Sequence, residues 1–113
     1  MRETLVLMLG LLDYDVTETA DGGAALEQFI AARERGRPFD AVVLDLRVAD
    51  GLGGADTVRR LRAIEPALRA IAVSGYPDDP VMTDHRAHGF DQALAKPVKM
   101  DTLRGALQSL LAG

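Results

Sequence analysis

The sequence predicts an α/β domain whose parallel sheet is wound by helices on both faces, and three observations predict it. Two short apolar runs, 41–45 and 68–74, are rich in β-branched residues and apolar on both faces, as strands buried in a parallel sheet are. Longer helix-period patterns alternate with these runs and with a third short run at 91–95, the order of an α/β fold. Turn formers mark the boundaries: Gly36 with Pro38, Pro66, Gly75 and Gly89.

Composition sets the outer bounds. The 113 residues suffice for one domain with one core, residues 1–113, and an apolar share of 48% excludes a disordered chain. A net charge of −4 argues against a nucleic-acid surface, which needs a basic stripe. The absence of cysteine excludes disulfides and thiolate metal sites and fits a cytoplasmic location. The longest apolar run, Leu5 to Leu12, is too short to span a bilayer, so no membrane partner is expected.

Residues 2–12, RETLVLMLGLL, predict a helix with Leu5, Met8, Leu9 and Leu12 on one face. Val6, Leu7 and Leu11 fall opposite, a surplus of apolar surface for an ordinary amphipathic helix. The alternating polarity of 14–20, YDVTETA, predicts a half-exposed strand. Asp21 is placed to cap a helix over 24–35 with Leu26, Phe29 and Ile30 turned inward. After the 41–45 strand, a helix over 54–64 turns Val58, Leu61 and Ile64 in and Arg59, Arg60 and Arg62 out. Asp78-Asp79-Pro80 opens a weakly apolar helix reaching about His88. Asp101 opens the last helix, with Leu103, Leu107, Leu110 and Leu111 on one stripe. The alternation begins with a helix, as if an opening strand were missing.

Chemistry gathers at the strand ends. Asp45, Ser74 and Lys96 stand at the carboxyl ends of three predicted strands, the edge of an open α/β sheet where ligands bind. A carboxylate, a hydroxyl and an ammonium brought together there suit acyl-phosphate chemistry, with the carboxylate as nucleophile and the other two holding phosphoryl oxygens. Singly, each has a plainer reading: Asp45 as a cap, Ser74 as a turn residue, Lys96 as an exposed loop lysine. Gly51, Gly53 and Gly54 form a weak candidate for a phosphate-cradling loop, the basis of a remote alternative, a flavodoxin-like small-molecule binder. His85 and His88 share a helix but no third metal ligand is in view.

The stretches VVLDLRVADGLGG, IAVSGY and ALAKPV, with DYDVTETADGGAALE before them, resemble the receiver domains of bacterial response regulators over nearly the whole chain. The segments GRPFDAVVLDLRVADGLGG and SGYPDDPVM are similar in style to receivers attached to hybrid sensor histidine kinases. The resemblance implies a flavodoxin-like, doubly wound parallel sheet and a role in two-component phosphorelay signalling, without enzymatic turnover. It implies Asp45 as phosphoacceptor, Ser74 as switch hydroxyl, and Lys96 as the lysine that pairs with the phosphoryl group. It further implies a Mg²⁺ site drawing on Asp45 and the Arg47 carbonyl, a cis Lys96–Pro97 bond, and a histidine kinase or phosphorelay protein as partner.

The chain departs from that pattern. Ala93 stands where an aromatic switch residue is frequent, and Ala49 where a loop proline is common. The family's first, central strand and the acidic pair that ends it would precede Met1 and are absent. The expected consequences are weak or absent Mg²⁺ binding and little or no phosphorylation, Lys96 then being the partner of Asp45. A sheet edge laid bare beside 41–45 would be covered by homo-oligomerisation. The alternative is an active phosphoacceptor completed by upstream sequence or by a partner chain.

Overall fold

The structure, a computed structural model, describes residues 2–19, 21–46, 53–76 and 78–112. The elements run α1 (Arg2–Leu11), α2 (Gly22–Glu34), β1 (Val42–Asp45), α3 (Gly54–Ile64), β2 (Ala70–Ser74), α4 (Pro80–Thr83), a 3-10 turn (His85–His88), β3 (Gln92–Ala95) and α5 (Met100–Ala112). The three strands are parallel in the order β1-β2-β3, with Asp45 opposite Val73 and Ser74 opposite Ala95.

β2 sits in the middle, and all five of its residues are buried. Its side chains alternate between two apolar clusters, as a pleated strand requires. Ala70 and Ala72 join Phe29, Val58, Leu61 and Phe90 beneath α2 and α3; Ile71 and Val73 join Leu94, Leu103 and Leu107 against α5. Leu5, Met8, Leu9 and Leu12 pack on the second cluster, so α1 takes the face expected of it, while Leu7 and Leu11 stay exposed. The doubly wound architecture follows from this two-sided burial.

Local signals explain the helix ends. Asp21 accepts a hydrogen bond from the Ala24 N–H at 3.0 Å, satisfying one of the donors that a helix start leaves open. Asp79 does the same for the Val81 N–H, with Pro80 in the first turn. At Gly89, φ is +91°, a left-handed conformation that closes the 3-10 turn and that glycine adopts without cost from a side chain. The Lys96–Pro97 bond is cis.

Four expectations need correction. Residues 14–19 form no strand: the alternating pattern is present, but the described sheet is β1-β2-β3 and this segment joins none of its ladders, and an alternating pattern becomes a strand only by pairing. The helix expected over 80–88 breaks at Asp84, because only Val81 of α4 is buried and none of His85–His88 is. Ile30 is 37% exposed, and Ala32 takes the inward place beside Phe29. Arg62 does not share the solvated face of Arg59 and Arg60. Its guanidinium donates to the carbonyls of Gly89 (2.8 Å), Leu68 (2.7 Å) and Pro66 (3.2 Å) and to Asp91 (3.1 Å).

Candidate functional site

Register alone brings the candidate residues to one edge. Asp45 ends β1, Ser74 ends β2, and Lys96 follows the last residue of β3. The Lys96 N–H donates to the Ser74 carbonyl at 2.9 Å, so the chain leaving β3 stays zipped to β2 for one residue more. From there the Lys96 side chain crosses β2 and places Nζ 2.5 Å from Asp45 Oδ2. Both side chains are largely shielded, at 17% and 26% exposure, which leaves this ion pair less screened than a surface one.

Ser74 is 1% exposed, and its Oγ accepts the Tyr76 N–H at 3.0 Å. Because the oxygen acts as acceptor there, the hydroxyl proton stays available to a second acceptor. Gly54 explains how α3 reaches the site. A Cβ at that position would lie 2.7 Å from the Asp45 carbonyl oxygen, so only glycine lets the first turn of α3 rest on the end of β1. Gly54 is thus a packing residue under Asp45. Thr57, buried in the next turn, ties its hydroxyl to the Gly53 carbonyl at 2.7 Å. The Gly53-Gly54 pair is visible in the sequence, but nothing local marks either Gly54 or Thr57 for this role.

The structure therefore joins Asp45 to Lys96 and sets Ser74 on the strand between them. Arg47, Ala49, Asp50 and Gly51 lie outside the described residues. Among the described residues no three acidic or histidine side chains are grouped to hold a metal, and the Asp45 carboxylate is paired with the Lys96 ammonium. His85 and His88 belong to no such group among the described residues. No described helix is long and apolar enough to cross a membrane.

A parallel α/β domain with an ion-paired aspartate at the carboxyl edge of its sheet is the class that fold and site define. The chain belongs to the response regulator receiver domain family, whose family model matches residues 1–108. It is 30% identical over 99 residues to the transcriptional regulatory protein ZraR of Escherichia coli O157:H7, covering 88% of this chain but only 21% of that protein. It is 28% identical over 98 residues to the sporulation initiation phosphotransferase F of Bacillus subtilis, covering 87% of this chain and 74% of that one. Among solved structures it is similar to the receiver domain of a sensor histidine kinase from Pseudomonas aeruginosa PAO1. That match has a TM-score of 0.82 and 30% identity, over 98% of this chain and 88% of the other. The Pseudomonas structure carries a magnesium ion in its active-site cleft.

Proposed function

We propose that this chain is a receiver-type interaction module of a cytoplasmic two-component phosphorelay in which Asp45 keeps the phosphoacceptor position but takes up phosphoryl poorly. The observation that carries the reading is the Asp45–Lys96 ion pair, formed where the described residues group no metal-binding acids. In phosphoryl transfer, charge spreads over the three equatorial oxygens of the moving group and must be met by fixed cations and donors. Lys96 supplies one cation, and the Ser74 hydroxyl can supply one donor. In the resting state that cation is committed to the nucleophile itself, which lowers the carboxylate's availability to attack phosphorus.

Histidine kinases or phosphotransfer proteins are the partners to expect, as they are across two-component relays. The module reads as a signalling domain, not as an enzyme with turnover, and its Ala93 gives no aromatic switch. The outer edge of β1, which no fourth strand adjoins among the described residues, is proposed to draw chains together as a homo-oligomer.

Treatment with a small-molecule phosphodonor and Mg²⁺, followed by intact mass, tests the reading. The expected result is no mass gain in the wild type beyond that of Asp45→Ala. Substantial labelling of the wild type, absent in Asp45→Ala, would overturn it. That outcome would favour a second reading, a competent phosphoacceptor whose missing strand or metal ligands come from upstream sequence or a partner. One observation favours this alternative: the open edge of β1 leads directly to Asp45, so a strand added there would end beside the carboxylate.

A further inference from the structure

A groove of about 700 Å³ runs along β1, with Val42, Val43 and Leu44 among the residues that line it. Its lining draws on both apolar clusters. Leu5, Leu9 and Leu107 belong to the α1 and α5 side, Phe29 and Leu44 to the α2 side. Residues 13–19, the segment that forms no strand, line it as well.

The backbone of β1 shows what kind of occupant the groove suits. The Val42 N–H donates to the Arg69 carbonyl at 2.9 Å and the Leu46 N–H to the Val73 carbonyl at 3.0 Å, both toward β2. Along a parallel strand successive residues turn their N–H and C=O to opposite sides. Ala41 and Val43 therefore direct theirs away from β2, into the groove, and among the described residues nothing pairs with them. Unpaired backbone groups beside apolar walls are costly to leave so, and a peptide strand meets them with a matching row of donors and acceptors. A small apolar ligand of the same volume would leave them unpaired.

Walls from both clusters also dictate the pattern of side chains. A strand seated there has one face against Leu9 and Leu107 and the other against Phe29, so alternation of apolar and polar residues is excluded on either register. Ala41 together with the four residues of β1 spans about 16 Å at about 3.3 Å per residue and sets the length of the insert at about five residues. The charged residues of the lining are Asp13, Asp15, Glu18 and Asp40 against one cation, Arg37. The acidic excess complements basic residues flanking the strand.

We propose that the groove binds an extended peptide segment of another chain, about five residues long, apolar on both faces and flanked by lysine or arginine, added as a strand to the open edge of β1. This rests on the reading of that edge as an association surface and specifies what it accepts.

The probe is a fluorescein-labelled synthetic peptide of five alternating valine and isoleucine residues between paired lysines, titrated into the full chain by fluorescence anisotropy. Light scattering follows the mass of the complex. Saturable binding of one peptide per chain is expected. A peptide with proline at its centre should bind about tenfold more weakly or worse, since it loses a ladder donor and the strand conformation. Serine at every second apolar position and glutamate flanks should each weaken binding as well. No protein variant has to fold, because every discriminating change is in the peptide. Absence of saturable binding, or equal binding of the proline peptide, would overturn the proposal. A monomeric chain that binds the peptide supports this inference and removes the self-association reading. An oligomer that refuses the peptide removes this inference and leaves self-association standing.

Discussion

Leu61→Ala is expected to lower the unfolding free energy by about 3–5 kcal/mol, the range for removing a buried leucine that leaves a cavity. Leu61 is 0% exposed and packs with Phe29, Val58 and Phe90 under the sheet, where α2 and α3 meet. β2 behind it offers only the small, fully buried Ala70 and Ala72, which cannot reach into the space. Urea unfolding followed by circular dichroism checks this: the midpoint should fall with little change in slope. A loss below about 1 kcal/mol would contradict the placement of α3, since surface substitutions rarely exceed that.

The neighbouring residue makes a second, different prediction. Arg62→Ala should cost about 2–4 kcal/mol, the sum of charge-assisted hydrogen bonds discounted for a side chain that is partly open to water. Its guanidinium holds the Leu68 carbonyl before β2, the Gly89 carbonyl before β3, and Asp91, whose Oδ2 also accepts the Ala70 N–H at 2.9 Å. One side chain thus fixes the amino ends of two strands whose carboxyl ends carry the candidate site. Removing it leaves three carbonyls, those of Pro66, Leu68 and Gly89, and a carboxylate short of a partner. Arg62→Lys should recover only part of the loss, because an ammonium cannot span a fork of that geometry. Arg59→Ala, by contrast, breaks only an exposed i,i+3 pair with Asp56 and should stay within about 0.5 kcal/mol. Equal effects at Arg59 and Arg62 would contradict the assignment.

Arg62 also shows where sequence reasoning stopped. Periodicity put three arginines on the outer face of α3, and for Arg59 and Arg60 that is where they are. Nothing local marks the third, because three of its partners are backbone carbonyls, which carry no signature in the sequence, and the fourth, the Asp91 carboxylate, lies 29 positions away. The elements with local signals were legible: the Asp21 cap, the apolar strands, the Pro66 stop and the stripe of α5. Residues 14–19 show the converse. Their pattern is that of a strand, but strand formation is a property of pairs, and they join no ladder of the described sheet. At the site, meeting of Asp45 and Lys96 could be anticipated from strand-end topology with the family resemblance. The packing role of Gly54 could not, since a close approach between α3 and the Asp45 carbonyl is visible only once both are placed.

The open edge of β1 links the fold to the function proposed for it, and hydrogen exchange resolved to single amides tests that edge most directly. In dilute, monomeric chain the amides of Val42 and Leu44, turned to β2, should exchange slowly, and that of Val43 should exchange as an unpaired amide does. Raising the concentration, or adding a strand-forming peptide, should slow Val43 while leaving Val42 and Leu44 as they were. A Val43 amide as protected as its neighbours in the dilute monomer would show the edge to be closed within one chain and would contradict the account.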